Sequence, residues 1–520
     1  MKSGILSKLA LCIVALLTSC SGTVSNDNQA QKNGAKNGKA PKYIFYFVGD
    51  GMSTPQINMA EKAVSEEGFL EVFNTQTCGI YNLKPGRLNL RNFTAAGMAN
   101  THAENRYITC SAAAATALST GSKTTINTIS MNGDRTQKLT SVAEMAKAAG
   151  KKVGVITSVS IDHATPACFY AHTQDRNNYE IIANYLLSSG FDYFAGGFTR
   201  YDKYEKSNLS DTVGFKDLTK DLLIDSLKAL GYEVAIGRQQ FDALKPGKKA
   251  LATIARTQKE VYDGNALPYN IDLDILESDD DKIVLAQFVK KGIELLYNDE
   301  NGFFLFTEGG KIDWADHAND AVSNVYETIA LDQAIGVAMD FYRQHPDETL
   351  IVFTGDHECG GLTLGFAGKD YESAFNVMKA QNTSFLTFEY LMLDYKKEKK
   401  SFDQVMAKVT ECFGLGDKQK GLELTEYEKK RLKAAYDHFF KDKNTLSAEE
   451  TKLFYGTYEP VTVTATHILD NKSGVDWASY AHTALPVPVF AIGCNADDFN
   501  GYFDNTDVPK KIMKIAGFVE

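Results

Sequence analysis

The chain has 520 residues, of which 44% are hydrophobic and 11% aromatic, so it can bury a sizeable core and most of it is not disordered. Its formal net charge is −11 at pH 7. Nucleic acid is therefore not expected as a partner, because binding to a phosphate backbone depends on clusters of lysine and arginine.

The N-terminal segment is predicted to direct export. Lys2 and Lys8 precede an apolar run at 9–17 that is too short to span a bilayer. Cys20 follows in the sequence Leu-Thr-Ser-Cys, which resembles the bacterial lipobox, whose cleavage leaves an acylated cysteine as the first residue. An ordinary signal peptide with an incidental cysteine is the alternative. We predict a lipoprotein signal peptide over 1–19 and a lipid anchor on Cys20, facing the periplasm or the cell surface.

Strand and helix patterns alternate along most of the remaining chain. Short apolar runs predict buried strands over 43–48, 152–156, 302–306, 349–353 and 487–492. Helical patterns separate them over 141–149, 178–188, 281–297 and 321–344. This order predicts an α/β fold, a three-layer α/β/α sandwich with a large, mostly parallel central sheet.

Two segments depart from this alternation. Residues 20–41 are rich in Ser, Gly, Asn and Lys, a composition that cannot collapse, and are predicted to form a flexible tether. Residues 366–465 are charged and helical in pattern, for example over 424–441, with few apolar strands. We predict that they form an inserted subdomain within the folded domain, 42–520.

The cysteines beyond Cys12 and Cys20 leave their pairing open. Export permits disulfides, but the spacing specifies no connectivity and contains no CxxC zinc motif. We therefore assign neither a disulfide nor a thiolate metal site. The six cysteines are Cys78, Cys110, Cys168, Cys359, Cys412 and Cys494.

Polar side chains end or follow four of the predicted strands. Asp50 follows the first strand, Thr157 the second and Glu308 the third, and Asp356 with His357 follows the fourth. In open α/β sheets the ligand crevice lies beyond the carboxyl ends of the strands. We therefore expect these side chains to converge on one pocket.

The acids and histidines of this set have the residue types of metal ligands, although each alone is more often a cap or a hydrogen-bonded polar residue. Asp313 and His317 are four residues apart, so on a helix both can reach one ion. Carboxylate with imidazole suits zinc, whereas carboxylate with hydroxyl and water suits magnesium. Four carboxylates sharing a pocket would repel one another without cations. They are Asp50, Glu308, Asp313 and Asp356.

Ser111 begins an alanine-rich helical pattern that Gly121 can end. One interpretation is that Ser111 is an N-cap. The other is that the helix N-terminus binds an anion such as phosphate, while a nearby metal makes the Ser111 hydroxyl nucleophilic. The planar guanidinium group of Arg176 can donate hydrogen bonds to two phosphate oxygens at once.

Together these segments resemble the alkaline phosphatase family, in the form of a secreted or lipid-anchored bacterial member. The resemblance covers about 42–365 and 475–520 and leaves the inserted segment unmatched. In chain order its motifs are Val48-Gly49-Asp50-Gly51-Met52; Ser111-Ala112-Ala113 with Thr116 and Thr120-Gly121; His163 to Ala167 with His172 and Arg176; Glu308-Gly309 to Asp316-His317; Asp356-His357; His482-Thr483; and Asn505-Thr506-Asp507.

The resemblance implies metal-dependent hydrolysis of phosphate monoesters by a catalytic domain over 42–520, with a homodimer left open. It implies one zinc on Asp313, His317 and His482, a second zinc on Asp50, Asp356 and His357, and a magnesium on Asp50, Thr165 and Glu308. Ser111 would attack phosphorus in line and form a phosphoserine, which is then hydrolysed, while Arg176 neutralises the equatorial oxygens.

Three residues near these motifs depart from the family pattern. Cys110 stands where the family usually has an aspartate, so the carboxylate that would orient Arg176 is missing. His163 stands where some relatives have aspartate, which is expected to loosen the magnesium site. Trp314 replaces a residue that is often basic and removes a contact to phosphate. All three are expected to surround the site rather than to bind zinc.

Three other functions are alternatives. A sulfatase would need proline two and arginine four residues after Cys110 or Ser111, and the chain has alanine at all of these positions. A phosphodiesterase is disfavoured because Arg176 and a third metal favour a doubly charged monoester. A lipoprotein that only binds metal or phosphate is disfavoured because the nucleophile and every ligand are present.

Overall fold

The structure is a computed structural model that describes residues 40–200, 220–258, 261, 265–297, 300–441 and 446–519. The predicted signal peptide, its Cys20 and nearly all of the predicted tether lie outside the described residues. No helix in the described part of the chain is long and apolar enough to cross a membrane. The six cysteines that the structure describes are all free thiols.

The secondary structure is numbered here in chain order. The strands are Tyr43–Gly49 (β1), Ala95–Asn100 (β2), Lys152–Ser160 (β3), Tyr193–Gly197 (β4), Tyr232–Ile236 (β5), Lys249–Thr253 (β6), Phe303–Gly309 (β7), Thr349–Gly355 (β8), Glu358–Cys359 (β9), His482–Thr483 (β10), Val487–Gly493 (β11) and Gly501–Asp504 (β12). The α-helices are Thr54–Ser65 (α1), Glu67–Gln76 (α2), Ser111–Thr120 (α3), Val142–Ala148 (α4), Ala164–Ala167 (α5), Tyr179–Ser188 (α6), Lys220–Ala229 (α7), Arg238–Ala243 (α8), Leu285–Leu296 (α9), Lys311–His317 (α10), Ala321–Gln344 (α11), Phe385–Lys397 (α12), Phe402–Phe413 (α13), Glu426–Phe440 (α14), Ala448–Tyr455 (α15), Pro460–Ser473 (α16) and Asp507–Ile515 (α17).

Ten strands form one sheet in the order β12-β2-β11-β8-β1-β7-β3-β4-β6-β5. Strand β11 runs antiparallel to both of its neighbours, and the other described pairs in this sheet are parallel. The prediction of a large, mostly parallel sheet is therefore confirmed. A separate two-stranded pair joins β9 to β10 and sets His482 opposite Cys359.

The sheet is covered on both faces, as the sequence predicts. Alternate residues of β1 enter two different hydrophobic cores: Phe45 lies in one and Tyr46 in the other, because successive strand side chains point to opposite faces. The first core includes α1, α2, α9 and α11, and the second includes α3, α4, α6 and α17. These two helical layers and the sheet form the α/β/α sandwich.

The segment 366–465 contains α12 to α15 and the start of α16. Its apolar residues, such as Val405, Phe413 and Leu432, are buried in the same core that contains Phe45 of the central sheet. The described residues from 40 to 519 lie in one compact unit. Whether 366–465 was inserted into an older domain stays a prediction.

Two predicted strands end too early, where functional residues interrupt the apolar pattern, and the helix predicted from 281 begins only at Leu285. Helix α11 begins and ends as predicted, at Ala321 and Gln344. Strands β3 and β7 extend past the predicted ends at 156 and 306. Their last residues include the buried polar residues Thr157 and Glu308, which interrupt the apolar pattern used to predict the strands. Hydrophobicity marks the part of a strand inside the core and misses the part that enters the site.

Candidate active site

The candidate active site lies at the carboxyl ends of β1, β7 and β8, in the middle of the sheet. The last residue of β1 pairs with the last residues of both neighbouring strands. This register brings Asp50, Glu308 and Asp356 to one edge of the sheet, where all three are 0% exposed. Side chains from 50 to 482 meet there, including every predicted metal ligand.

Three groups of side chains in the described part of the chain have donor atoms close enough to hold a cation. Within each group these atoms lie within 4.8 Å of one another. The first group is Asp313, His317, Cys359 and His482; the second is Asp50, Asp356 and His357; the third is Asp50, His163 and Glu308. Asp50 belongs to the second and third groups and therefore joins them.

In the first group, two histidines are oriented by backbone carbonyls. His317 Nδ1 lies 2.7 Å from the Tyr480 carbonyl oxygen, and His482 Nδ1 lies 2.9 Å from that of Thr109. Because a carbonyl only accepts, each Nδ1 donates the proton and each Nε2 is left with a lone pair. The two Nε2 atoms lie 3.1 Å apart and 3.4–3.5 Å from the carboxylate oxygens of Asp313. Four acceptor atoms facing one point require a cation.

The second group surrounds the predicted nucleophile. His357 Nε2 lies 3.3 Å from Asp50 Oδ1, 3.3 Å from Asp356 Oδ2 and 3.5 Å from Ser111 Oγ. Burial and the neighbouring His482 lower the pKa of His357 well below its usual value, so the ring is a neutral, metal-binding imidazole. Asp356 Oδ1 accepts from the Gly51 and His357 amides, which leaves Oδ2 free to bind.

The third group contains a hydroxyl as well as carboxylates. Thr165 Oγ1 donates to Asp50 Oδ2 at 3.3 Å, and Thr157 donates to Glu308 Oε2. Burial raises the pKa of Glu308 to about 7. The oxygen donors at this group suit magnesium better than zinc, although the group also contains the His163 imidazole.

The residues present fit a set of bound cations. Buried polar atoms normally have hydrogen-bond partners, and a buried atom without one needs an explanation. Burial, together with repulsion from the neighbouring acids, also raises the pKa of Asp50 and Asp356 well above the usual range. A divalent cation would remove both costs for the carboxylate oxygens, but not for an imidazole Nδ1 that carries a proton. The unpartnered buried atoms at the site are Asp50 Oδ1, His163 Nδ1, Glu308 Oε1, Asp313 Oδ1, Asp356 Oδ2 and His357 Nδ1.

Ser111 is the first residue of α3 and is 2% exposed. The N-cap is Cys110, so the interpretation of Ser111 as the N-cap is wrong. Its hydroxyl therefore stands among the unpaired amides of the first helical turn, which favour an anion. Gly121 ends the helix in a left-handed conformation at φ +75°, as the sequence predicts.

Arg176 is held from two directions. Its amide donates to the Asn127 carbonyl at 2.8 Å, and its guanidinium Nη2 lies 3.1 Å from His163 Nε2. Cys110 Sγ accepts from the Asn127 amide at 3.2 Å, so Cys110 supports the same loop although it cannot pair with the guanidinium as an aspartate would. Trp314 packs edge-on against His163, with ring centroids 5.6 Å apart.

Comparison with known proteins identifies the family. The family model described as alkaline phosphatase matches residues 41–518. The chain belongs to the alkaline phosphatase family. The bounds of this match lie on either side of the helical segment 366–465.

Alkaline phosphatases also appear among the similar sequences and structures. The chain is 29% identical to alkaline phosphatase 4 of Bacillus subtilis, over 98% of this chain and 96% of that protein. It is 28% identical to alkaline phosphatase 3 of the same organism, over 97% and 95% of the two chains. The crystal structure of a cold-active alkaline phosphatase from a Shewanella species aligns with a TM-score of 0.69 and 28% identity, over 91% of this chain and 99% of that one. The Thermus thermophilus alkaline phosphatase shares the fold, with a TM-score of 0.71, 23% identity and 93% coverage of each chain.

Membership of the alkaline phosphatase family makes this chain an enzyme that hydrolyses phosphate monoesters with the help of metal ions. The three clusters at the sheet edge are its candidate metal-binding groups. No other candidate group occurs among the described residues.

Two side chains near the alkaline phosphatase site escaped the sequence analysis. Cys359 lies in the first cluster, but it has no CxxC spacing and its proximity comes from the pairing of β9 with β10. Arg200 lies 5.7 Å from the Trp314 ring, and its charge helps to lower the pKa of His163 after burial and Arg176. No local pattern marks Arg200, because it approaches the site from the loop after β4.

Proposed function

We propose that this alkaline phosphatase uses two zinc ions and one magnesium ion and forms a phosphoserine on Ser111, releasing inorganic phosphate. The observation that carries this proposal is the set of four buried, unpartnered carboxylate oxygens around the Ser111 pocket, on Asp50, Glu308, Asp313 and Asp356. Mixed nitrogen and oxygen donors in the first two clusters favour zinc, and oxygen donors in the third favour magnesium.

Each cation has a proposed set of ligands. One zinc is assigned to Asp313, His317 and His482, the other to Asp50, Asp356 and His357, and the magnesium to Asp50, Thr165 and Glu308. When bound, these ions supply positive charge that stabilises both the attacking and the leaving oxygen of an in-line displacement.

The protein's own groups position the reaction. Ser111 Oγ, 3.5 Å from His357 Nε2, attacks phosphorus as the helix N-terminus of α3 attracts the phosphate. Arg176 presents its guanidinium to the equatorial oxygens, and one well-placed donor of this kind typically contributes about 3 kcal/mol to transition-state stabilisation. His163 and Trp314 support Arg176 and the third cluster from the side.

The test combines a nucleophile variant with a substrate panel. Ser111→Ala should lose most hydrolysis of an aryl phosphate while it retains zinc and phosphate binding, since Ser111 is not one of the assigned metal ligands. Mass spectrometry after acid quenching should find phosphate on Ser111 of the wild type and none on the variant. Chelation should abolish activity, and zinc with magnesium should restore it. Near wild-type turnover by Ser111→Ala would contradict the proposal.

The same panel separates the alternatives. Faster hydrolysis of a bis-aryl phosphate than of the monoester would indicate a phosphodiesterase, and faster hydrolysis of an aryl sulfate would indicate a sulfatase. Phosphate binding without turnover, unchanged in Ser111→Ala, would indicate a binding lipoprotein.

We also propose export and lipid anchoring through Cys20, on the strength of the Leu-Thr-Ser-Cys motif and the basic, apolar segment before it. Radiolabelled palmitate should be incorporated by the wild type and lost in Cys20→Ala, which should leave the membrane fraction. Unchanged labelling would contradict this assignment. Light scattering on the purified chain would decide between the monomer and the homodimer, which the family resemblance leaves open.

A further inference from the structure

We propose that the thiolate of Cys359 is a fourth protein ligand of the metal in the first cluster, beside Asp313, His317 and His482. This inference rests on the proposed function only in requiring that a transition metal occupies this cluster. It adds a sulfur donor to a site otherwise composed of nitrogen and oxygen.

The geometry of the cluster carries the proposal. The Cys359 sulfur lies within 4.8 Å of the donor atoms of the other three side chains. A tetrahedral zinc ion bound to sulfur at about 2.3 Å and to nitrogen at about 2.1 Å holds those two ligands about 3.6 Å apart. The donor atoms of the cluster would therefore move closer by at most about 1.2 Å around the ion.

A second observation shows that the cluster is built for a ligand. Asp313 is 3% exposed, and its Oδ1 has no hydrogen-bond partner although it faces His482 Nε2 at 3.5 Å. Neither of these atoms has a proton to share, because His482 donates from Nδ1 to the Thr109 carbonyl. The Cys359 thiol donates a hydrogen bond to the Asp313 carboxylate, but Oδ1 and the two imidazole Nε2 atoms still face one another without a proton between them, a cost that a cation would remove.

The backbone holds Cys359 in this position. It pairs with His482 across the β9–β10 ladder, and its amide donates to the Gly51 carbonyl at 3.2 Å. Its own carbonyl accepts from Gln56 Nε2 at 3.3 Å. The side chain is 0% exposed, so it is shielded from competing thiol reagents.

Coordination by a thiolate changes which metal ions the first cluster prefers. On binding, the Cys359 thiol would release its proton to solvent and the sulfur would donate its lone pair to the metal. Two negative ligands would then balance the divalent charge, and a soft sulfur would favour zinc over magnesium or calcium. Among the described residues, the other two clusters contain no cysteine. A metal–sulfur signal would therefore come from the first cluster.

The experiment examines the metal-loaded enzyme by spectroscopy. X-ray absorption at the zinc edge of the wild type should reveal sulfur at about 2.3 Å, at about one sulfur per two zinc ions. The cobalt-substituted enzyme should show a thiolate-to-cobalt absorption in the near ultraviolet. Cys359→Ser should lose both signals, and its zinc affinity at this cluster should fall at least about tenfold, since loss of even an outer-shell partner costs about 10–100-fold.

Cys412→Ser is the matched control, because Cys412 is buried in α13 and belongs to no candidate cluster. It should retain both signals. A zinc-replete wild type with only nitrogen and oxygen neighbours would overturn the thiolate ligand and leave the proposed function standing. A sulfur signal without phosphatase turnover would support the ligand and overturn the function, and a chain that binds no zinc would overturn both. Should Cys359→Ser fail to fold, the wild-type spectrum still decides.

Discussion

Gly51 packs so closely on Asp313 that a Cβ atom at this glycine would lie 2.7 Å from the Asp313 Cα. The glycine adopts φ +73°, a left-handed conformation, in the turn directly after Asp50. Its amide donates to Asp356 and its carbonyl accepts from Cys359. One turn of backbone therefore contacts residues of the first two metal clusters, and only glycine fits there.

We expect Gly51→Ala to lower stability and to displace Asp313. The left-handed conformation alone should cost about 1–2 kcal/mol, and the clash should add to it. Zinc content and the urea midpoint of the metal-loaded protein are the measurements. Gly79→Ala is the control, because Gly79 has φ +67° and a Cβ there would have no neighbour within 4 Å. Equal zinc content and equal midpoints in the two variants would contradict the close packing on Asp313.

Removing either histidine of the first cluster should empty it. In His317→Ala or His482→Ala a nitrogen ligand is lost, so zinc affinity at that cluster should fall by more than about 100-fold. Isothermal titration of the chelated protein with zinc measures the change, and hydrolysis should fall in parallel at limiting zinc. His102→Ala should bind zinc like the wild type, since the His102 side chain is 44% exposed, lies 3.8 Å from Asp504 and belongs to none of the three clusters.

Replacing His163 should strengthen the third cluster. His163 Nε2 accepts a hydrogen bond from Arg176, so Nδ1 carries the proton and the ring has no lone pair left for a cation. A carboxylate at this position could accept from Arg176 with one oxygen and bind magnesium with the other. We expect His163→Asp to bind magnesium more tightly than the wild type, by about tenfold, measured by titration of the zinc-loaded enzyme. His163→Asn, which is similar in size and uncharged, should not gain affinity. If magnesium affinity rose in both variants, the smaller size of the new side chain, and not its negative charge, would explain the gain.

His467 should make the protein less stable in acid. Burial and the nearby Arg431 lower its pKa to about 4, although Asp476 opposes the shift, and its Nε2 pairs with Asn319 Oδ1 at 3.1 Å. The unfolded chain gains a proton below pH 6.5 that the folded chain refuses until about pH 4, so stability is lost as the pH falls through this window.

His467→Gln keeps an N–H for Asn319 and cannot be protonated. Its free energy of unfolding, measured with chelator present, should therefore fall less between pH 6.5 and 4 than that of the wild type, by about 2 kcal/mol. His102→Gln, at an exposed position, should follow the wild type. Parallel pH curves for His467→Gln and the wild type would contradict the low pKa.

Local patterns predicted the elements that local forces determine. The helix at Ala321–Gln344 and the strand beginning at Tyr43 follow from apolar periodicity, and Gly121 follows from the need for a left-handed helix end. The same patterns predicted that β3 and β7 end before Thr157 and Glu308, although both strands continue past these residues. A polar residue in a buried strand interrupts the apolar run and is read as the end of the strand.

The sequence alone determined the α/β class and the residue types of a metal site, since these depend on neighbours a few positions apart and on the chemistry of single side chains. Only the tertiary structure decided which of those side chains lie together in one candidate metal cluster. Cys359 joins the first cluster through the β9–β10 pairing, and His163 gives its acceptor nitrogen to Arg176. The carbonyl that orients His482 belongs to Thr109, 373 positions away. Contacts of that range are set by strand order and register, which no periodicity along the chain encodes.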